Sequence, residues 1–315
     1  MARIDKIFQD TLSLILSKPF EAVQRPKWQD GEKVEVKRVI AVCNNYDLSR
    51  EFPLASIRPV NLKGCIREVL WLHQKRSVDT AELGLKIWDA WADDKGLIRG
   101  CYGDMVNRPV IISREYREGL VPIHLDQCVP ELVKDDFYDI PCGPGNQKQR
   151  VVGYGFPSQT DFVLWSLKND PSSRRILSSM FCPVTSALKP LEECAFQINL
   201  SVQDGRLDMT LYQRSCDFIT AFLWNTAQYA ALQLMFAHDA GLKPGIFTHF
   251  IQDCHIYDRH IKQAEELARR PLFFPIPQVT ISERMQDKGF YDFTPEDFEV
   301  WNYEPLPQIK FEVAV

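Results

Sequence analysis

The alternation of apolar and polar residues on both sides of Asp204–Gly205 predicts a β-hairpin. The alternation runs from Ala195 to Val202 and again from Leu207 to Gln213, as in strands that bury one face. An Asp-Gly pair between two such segments is typical of a two-residue turn whose twist matches that of the strands. This hairpin is the most clearly predicted local structure in the chain.

The register of the hairpin predicts a reactive cysteine at its open end. If Asp-Gly forms the turn, Val202 pairs with Leu207. Counting back along both strands then places Cys194 opposite Ser215 and beside Arg214. A cation near a thiol favours the thiolate, which is the nucleophilic form. The register therefore makes Cys194 a candidate nucleophile.

Hydrophobic periodicity elsewhere predicts a mixture of helices and strands. Helical spacing covers Ile4 to Leu16, Asn61 to Gln74, Val78 to Ala92, Gln159 to Lys168, Thr226 to Ala240 and Asp258 to Arg269. Further strands are predicted at Val34 to Val42, Arg174 to Phe181 and Phe247 to Tyr257. In the second helix, Glu68 falls on or near the buried side. These elements indicate an α/β protein.

Composition favours a cytoplasmic enzyme over several other classes of protein. With 315 residues, 45% of them hydrophobic, the chain can bury a large core as one or two domains. A net charge of −5 argues against general nucleic-acid binding, and no apolar run is long enough to span a bilayer. The nine cysteines include no C-x-x-C pair. We therefore expect neither structural zinc nor a disulfide framework, and a reducing compartment.

Several motifs, in order and at matching spacing, make the chain resemble the thymidylate synthase family. They are Phe52-Pro53-Leu54, Glu68-Val69-Leu70-Trp71, Ile87-Trp88-Asp89-x-Trp91, Tyr102-Gly103, Asn169-Asp170-Pro171-Ser172-Ser173-Arg174-Arg175, Cys194, Leu211 to Asp217, Asn225, Asp253-x-His255-x-Tyr257 and Glu312-Val313-Ala314-Val315. Only the irregular region from Met105 to Gly155 lacks a clear counterpart. We therefore predict one catalytic domain over residues 1–315, with an insertion or small subdomain at about 105–155.

The resemblance implies an α/β (α+β) fold with one large mixed β-sheet. Helices would pack on one face of that sheet, and a homodimer would form through the other. The implied reaction is the reductive methylation of dUMP to dTMP. Its co-substrate would be 5,10-methylenetetrahydrofolate, which donates both the one-carbon unit and a hydride. The family implies no metal, no membrane and no obligatory nucleic acid.

By resemblance, the catalytic residues are Cys194, Glu68, Tyr102, Asn225 and Arg214. Carbon 5 of uracil is too weak a nucleophile to accept a one-carbon unit. Attack of the Cys194 thiolate on carbon 6 turns the ring into an enolate-like nucleophile, which is covalent catalysis. Arg214 would stabilise the thiolate, and Glu68 and Tyr102 would manage proton transfers around carbon 5.

The resemblance also implies a nucleotide site shared between two subunits. Its residues are Arg25, Arg174, Arg175, Gln213, Arg214, Ser215, Asp217, Asn225, His255 and Tyr257. Arg25, Arg214 and Ser215 would hold the phosphate with Arg174 and Arg175 from the other subunit. The amide of Asn225 offers the donor and the acceptor that O4 and N3–H of uracil require. His255 and Tyr257 would reach the sugar 3′-hydroxyl.

The folate side of the implied site is less regular. Trp88 and Trp91 would wall the folate pocket, Asp217 would bind the pterin, and the terminal carboxylate of Val315 would help close the site. Ala221 stands where the family has glycine. Further departures are Glu192-Glu193, Ala195, Asn199, Leu223-Trp224 and Asp104-Met105-Val106.

Two other functions therefore stay open at the level of the sequence. A pyrimidine-nucleotide hydroxymethylase of the same superfamily, acting on a uridylate or cytidylate, would trap the same adduct with water instead of hydride. A non-catalytic nucleotide- or RNA-binding relative would need no nucleophile, so Cys194, Tyr102 and Asn225 argue against it.

Overall fold

The computed structural model describes residues 2–113, 137–141, 148–183, 186, 189 and 191–312, without the side chains of 24–26, 111–113, 137–141 and 148–155. The helices are α1 (Arg3–Leu16), α2 (Leu62–Leu70), α3 (Thr80–Leu83), α4 (Tyr102–Val106), α5 (Gln159–Asn169), α6 (Phe222–Asp239) and α7 (Ile261–Ala268). The strands are β1 (Glu21–Lys27), β2 (Lys33–Asp47), β3 (Val110–Ser113), β4 (Phe137–Pro141), β5 (Lys148–Phe156), β6 (Leu177–Ser179), β7 (Ala195–Gln203), β8 (Arg206–Asp217), β9 (Lys243–Tyr257), β10 (Gln278–Ile281) and β11 (Phe298–Trp301).

A six-stranded mixed sheet forms the centre of the molecule. Its strand order is β1-β2-β9-β8-β7-β6, and only β8 and β9 run parallel. Helix α6 connects these two parallel strands and is buried on almost all sides, as its apolar composition predicts. Its Gln233 donates to the carbonyl of Leu207 on β8 at 2.7 Å. The predicted α/β fold with a large mixed sheet is confirmed.

Helices α1 and α6 cover one face of this sheet. Phe8 of α1 stacks on Phe218 at 5.0 Å between ring centroids, and Phe222 of α6 stacks on His249 of β9. Because side chains alternate along a strand, the residues between the buried ones point to the other face. Phe196, Tyr212 and Phe250 form an aromatic row there, across β7, β8 and β9.

The hairpin forms as predicted at its turn but not at its open end. Asp204 and Gly205 both have positive φ, 52° and 71°, as the turn type of an Asp-Gly hairpin requires. Val202 pairs with Leu207. The pairing then shifts by one residue at a β-bulge between Ala195 and Gln197. Counting without the bulge therefore gives the wrong partner for Cys194.

Several helix predictions are confirmed, and one is wrong. The predicted helix from Asn61 to Gln74 consists of α2 followed by a π-helical turn at Trp71–Lys75. The side chain of Asn61 caps α2 by accepting from Gly64 N at 3.0 Å. No continuous helix spans residues 78–92. There, α3 ends at Leu83 and is capped by Gly84, whose φ is 66°, and a separate 3₁₀ turn follows at Lys86–Trp91.

Some predicted boundaries differ from the structure. The strand predicted from Arg174 to Phe181 is reduced to β6, because Arg174 and Arg175 lie in the preceding turn. Helix α6 starts at Phe222 rather than at Thr226, so Asn225 lies within its first turn. Gly241, with φ of 67°, follows the C-terminal end of α6 as predicted.

Part of the irregular region at 105–155 forms a second, three-stranded sheet in the order β3-β5-β4. Residues 114–136 and 142–147, which make up much of that region, lie outside the described part of the chain. Among the helices that the structure describes, none has the length and apolar character needed to cross a membrane.

Candidate active site

Cys194 and Arg214 face each other at the open end of the hairpin. The backbone N–H of Arg214 donates to the carbonyl of Cys194 at 2.8 Å, and its Nη2 lies 3.9 Å from the Cys194 Sγ. The same guanidinium donates to the carbonyls of Glu192 at 2.7 Å and of Glu193 at 3.0 Å. The β-bulge produces this arrangement, because it puts Arg214 rather than Ser215 opposite the cysteine.

The charges around Cys194 have opposite effects on the pKa of its thiol. Burial raises the pKa of the thiol, the Arg214 guanidinium lowers it, and the Glu193 carboxylate raises it again. The Nζ of Lys189 lies 2.7 Å from Glu193 and 3.4 Å from Glu192, and the Lys189 side chain is fully buried. Lys189 therefore compensates the two carboxylates that precede the nucleophile. Sequence reasoning missed this lysine.

Tyr102 connects Cys194 to the two tryptophans that are predicted to wall the folate pocket. Its hydroxyl oxygen accepts a hydrogen bond from the backbone N–H of Cys194 at 2.9 Å. Its ring meets Trp88 edge to face at 5.5 Å, and Trp88 meets Trp91 in the same way at 5.6 Å. Burial raises the pKa of Tyr102 far above its ordinary value. The residue is therefore a phenol whose proton is available to a second partner.

Glu68 lies behind Trp88 with its carboxylate held at both oxygens. Trp88 Nε1 donates to Oε1 at 2.6 Å, and Trp224 Nε1 donates to Oε2 at 2.5 Å. Burial raises the pKa of Glu68, and these two hydrogen bonds oppose the rise. Gly64 makes room for this contact, since a Cβ there would lie 2.7 Å from the Trp224 ring. Trp224 was only a departure from the family pattern in the sequence; the structure joins it to Glu68.

Asn225 belongs to a buried hydrogen-bond network. Its Nδ2 lies 3.2 Å from Gln213 Oε1, and Gln213 Nε2 donates to the carbonyl of Ser215 at 2.9 Å. His249 Nε2 lies 2.8 Å from the same Gln213 oxygen, and His249 Nδ1 lies 3.0 Å from Thr226 Oγ1. Asn225 and Gln213 were predicted as site residues, whereas His249 and Thr226 were not.

The parallel pairing of β8 with β9 brings further predicted residues together. Ser215 pairs with Asp253, and Asp217 pairs with His255. Asp253 Oδ1 lies 2.8 Å from His255 Nδ1, which orients the ring, and the other Asp253 oxygen accepts from Arg38 at 3.0 Å.

Tyr257 and Asp217 complete this side of the cluster. Tyr257 contacts His255 edge to face at 5.1 Å. Asp217 Oδ1 accepts from the backbone N–H groups of Ile219 and Thr220 at 3.2 and 3.3 Å. Ala221 follows in the same turn, and its N–H donates to the Asp217 carbonyl at 2.8 Å. This turn leads directly into the helix that carries Asn225.

One pair of predicted phosphate ligands lies elsewhere in the same chain. Leu177 pairs with Asn199, and the same register places Arg174–Arg175 near Ser201, at the turn end of β7. At about 3.3 Å per residue along a strand, that is roughly 20 Å from Cys194. Both arginines are exposed. A single chain therefore does not bring them to the nucleophile.

Two other predicted residues fall outside the described atoms. Arg25 lies in β1, but its side chain is not described, and Val315 is not described at all. The chain leading to Val315 approaches the site, however. His260 Nε2 lies 2.7 Å from the carbonyl oxygen of Glu312, and the His260 ring contacts Tyr257 at 5.9 Å.

The arrangement combines a nucleophile with groups that move protons. Cys194 contacts both Arg214 and Tyr102, and Glu68 is linked to Tyr102 through Trp88. Within the part of the chain that the structure describes, no cluster of three or more His, Cys, Asp or Glu residues is placed to hold a metal ion. The chemistry that these residues offer by themselves is covalent addition of a thiolate followed by proton transfer.

Comparisons with known proteins agree with this chemistry. The sequence profile of the family described as thymidylate synthase matches residues 6–315. The chain is 31% identical to a thymidylate synthase of Lactococcus lactis over 327 aligned residues, and 32% identical to one of Streptococcus pneumoniae over 331. Both alignments cover 100% of each chain.

A solved structure gives the same result for the fold. The thermostable thymidylate synthase A from Bacillus subtilis superimposes with a TM-score of 0.78 at 28% identity, and 100% of both chains is covered. The match of fold, full length and sequence profile leads to one conclusion: this chain belongs to the thymidylate synthase family.

Proposed function

We propose that this protein is a thymidylate synthase, which converts dUMP to dTMP by reductive methylation with 5,10-methylenetetrahydrofolate. The observation that carries the proposal is the position of Cys194, with its Sγ 3.9 Å from Arg214 and its N–H bonded to Tyr102. Full-length relatives at 31% and 32% identity bear the same name. A binding protein would need neither the nucleophile nor the phenol beside it.

In this proposal, Cys194 adds as a thiolate to carbon 6 of the uracil ring. The addition makes carbon 5 nucleophilic, and methylenetetrahydrofolate then supplies the one-carbon unit and the hydride. The proton on carbon 5 must leave before the product forms. Tyr102 is bonded to Cys194 and Glu68 is linked to Tyr102 through Trp88, so these two residues would serve as the groups that move protons there.

The nucleotide would be held at its two ends. Arg214, Ser215 and Arg25 would bind the phosphate, with Arg214 also stabilising the thiolate. Asn225 and Gln213 would meet the base. His255, oriented by Asp253 at 2.8 Å, and Tyr257 would bind the sugar 3′-hydroxyl.

The site would be completed by a second copy of the chain. Arg174 and Arg175, roughly 20 Å from Cys194 along β7, would reach the phosphate in the partner's site. The sheet face that carries Phe196, Tyr212 and Phe250 would offer this half-buried aromatic row as a surface for the dimer. A two-fold axis through this face would give both sites the same composition.

Folate would lie against Trp88 and Trp91. These residues present two indole rings next to the Tyr102 ring, which fits a flat aromatic pterin. Asp217 has one oxygen engaged with Ile219 and Thr220, and its second oxygen would accept from the pterin. Ala221 in the same turn would contact the co-substrate, and Val315 would close the pocket.

We also propose that the chain forms one catalytic domain with an insertion at 105–155. The large sheet carries the candidate site, whereas β3, β4 and β5 form a separate sheet within the insertion.

The structure gives a reason to prefer reductive methylation over hydroxymethylation. One reason to consider a hydroxymethylase was that Leu223-Trp224 departs from the residues usual in the family. Trp224 is engaged with Glu68 at 2.5 Å, so this departure alters the group that holds Glu68 rather than opening the folate wall to water. The Trp88–Trp91 pair is intact.

Mass analysis of the product from dUMP and methylenetetrahydrofolate tests the proposal. A gain of one CH2 with formation of dihydrofolate supports thymidylate synthase, whereas a gain of CH2O identifies a hydroxymethylase and overturns it. Cys194→Ala should abolish turnover and keep nucleotide binding, because the arginines do not depend on sulfur. Cys216→Ala is the matched control, since Cys216 is a buried cysteine of the neighbouring strand.

A further inference from the structure

His249 is a fully buried histidine that the proposed chemistry does not use. Its ring stacks on Phe222 at 5.7 Å with an interplanar angle of 7°, and it lies 6.2 Å from Phe247 on its own strand. Both ring nitrogens have polar neighbours, Thr226 on one side and Gln213 on the other. The ring is therefore held in one plane, and its orientation is set from two directions.

The direction of each hydrogen bond between donor and acceptor in this network follows from one carbonyl group. The backbone oxygen of Ser215 can only accept, so the Gln213 atom that lies 2.9 Å from it must be the amide nitrogen. Gln213 Oε1 therefore faces both His249 and Asn225. Because that oxygen is an acceptor, His249 Nε2 must carry a proton, and Asn225 must offer its Nδ2.

The protonation of His249 agrees with this orientation. Burial lowers the pKa of His249 to about 3, so the ring is neutral near pH 7 and carries one proton. With that proton on Nε2, Nδ1 is an acceptor for the Thr226 hydroxyl at 3.0 Å. The Thr226 hydroxyl also lies 2.7 Å from the carbonyl of Phe222, and its single proton serves one of these two acceptors.

We propose that His249 is a positioning residue for base specificity, which acts through Gln213 to fix the amide orientation of Asn225. The proposal rests on the proposed function, in which Asn225 meets the base. With Nδ2 turned toward Gln213, Asn225 presents Oδ1 to the donor N3–H of uracil and its second amide hydrogen to O4. Cytosine has an acceptor at N3 and an amino donor at position 4, so it needs the reversed amide.

The reversed amide is unfavourable only because Gln213 is itself held. Turning Asn225 over would place its Oδ1 against Gln213 Oε1, two acceptors with no proton between them. Gln213 could relieve this clash by turning over as well, but it would then lose its donation to Ser215 and place its NH₂ against the His249 N–H. His249 thus opposes a joint switch, because the pair can turn over together only if the His249 proton also moves from Nε2 to Nδ1. Leaving a polar group unpaired at such a position is unfavourable, so the observed orientation is preferred.

The experiment compares two buried histidines that receive the same substitution. His249→Phe removes the donor to Gln213, whereas His73→Phe is the matched control. His73 is fully buried against Tyr229 and Phe236, and neither of its nitrogens has a hydrogen-bond partner among the described residues. Affinities for dUMP and dCMP are measured by calorimetry, and kcat/KM is measured for both nucleotides with methylenetetrahydrofolate.

We expect His249→Phe to reduce the preference for dUMP over dCMP by about tenfold or more, as the loss of one buried hydrogen bond implies. His249→Gln, whose amide can still donate to Gln213, should keep most of that preference. His73→Phe should leave the ratio unchanged. A uniform loss of affinity for both nucleotides in His249→Phe, with the ratio intact, would mean a merely structural role and would overturn the inference.

Gln213→Leu tests the same idea if His249→Phe does not fold. It removes the acceptor that orients Asn225, so it should also lower the preference by about tenfold or more, and an unchanged preference would overturn the inference. The proposed function is tested separately by the wild-type protein. If wild type forms no dTMP from dUMP, the proposed function fails, whatever the variants do.

Discussion

The guanidinium of Arg214 lies 3.9 Å from the Cys194 sulfur while it also holds the carbonyls of Glu192 and Glu193. These two carbonyl contacts fix the cation beside the thiol before any nucleotide binds. The buried thiol has a raised pKa, and Arg214 is the group that opposes the rise. The reactivity of Cys194 therefore depends on the balance between this cation and the neighbouring carboxylates.

Lys189 should tune that balance. Lys189→Met leaves the buried Glu193 carboxylate uncompensated, which raises the pKa of Cys194 further. A rise of one pKa unit reduces the thiolate fraction about tenfold. We expect alkylation of Cys194 by iodoacetamide near neutral pH to slow by about that factor. Peptide mass spectrometry measures the rate, with the exposed Cys43 as internal reference.

The double variant Lys189→Met/Glu193→Gln is the control for this prediction. It removes the pair together, so no buried charge is left alone, and the alkylation rate should recover. Equal rates in the single variant, the double variant and wild type would show that the ion pair only supports the local fold.

Trp224→Phe should change how the activity depends on pH. The substitution removes the N–H that donates to Glu68 Oε2 at 2.5 Å. A hydrogen bond to a carboxylate favours its charged form, so its loss raises the pKa of Glu68 further. If the ionised carboxylate is the active form, activity is lost on acidification at a correspondingly higher pH. The kcat profile from pH 5 to 9 measures this shift.

Trp301→Phe is the matched control, because Trp301 is 56% exposed. Its pH profile should coincide with that of wild type. A Trp224→Phe enzyme with lower activity but an unshifted acidic limb would contradict a role through Glu68.

Mixing two inactive variants should restore activity if the sites are shared. In a hybrid of Arg175→Ala with Cys194→Ala, one of the two sites contains neither lesion. Random subunit exchange should therefore recover about a quarter of the wild-type activity. Arg214→Ala mixed with Cys194→Ala is the control, because Arg214 and Cys194 belong to the same chain's site. Recovery in the control, or none in the test after proven exchange, would argue against shared sites.

His73 should make the folded state sensitive to acid. Burial lowers its pKa to about 3, while in the unfolded chain a histidine titrates near 6.5. Between these values the unfolded state binds the extra proton, so stability falls as the pH falls, by about 1.4 kcal/mol per pH unit. His249 acts in the same direction.

Asp5 has the opposite effect on how stability depends on pH, because burial raises its pKa to about 6 in the folded state. The folded state therefore gains the proton first, and this contribution grows as the pH falls toward 4. His73→Phe should reduce the number of protons taken up on unfolding by about one between pH 6 and 4. The unfolding free energy of the variant should therefore fall less steeply as the pH falls. Urea denaturation at several pH values measures it, and parallel curves for variant and wild type would refute the prediction.

Elements whose signals are local could be predicted from the amino-acid sequence alone. Asp204–Gly205 fixed the hairpin turn, because few other residue pairs accept positive φ at both positions. The apolar composition of α6 indicated a central helix, and the order of motifs around Cys194 and Asn225 indicated the family. These features depend on residues close together in the chain, so their physical reasons are visible in the sequence.

Which side chains meet depends on long-range packing and is visible only in the folded chain. The one-residue bulge before Gln197 puts Arg214, not Ser215, opposite Cys194, and no residue type near the bulge announces it. The contacts of Trp224 with Glu68 and of His249 with Gln213 join residues 156 and 36 positions apart. Such partners are selected by packing between elements distant in the chain, where periodicity shows that a residue is buried but not what it touches.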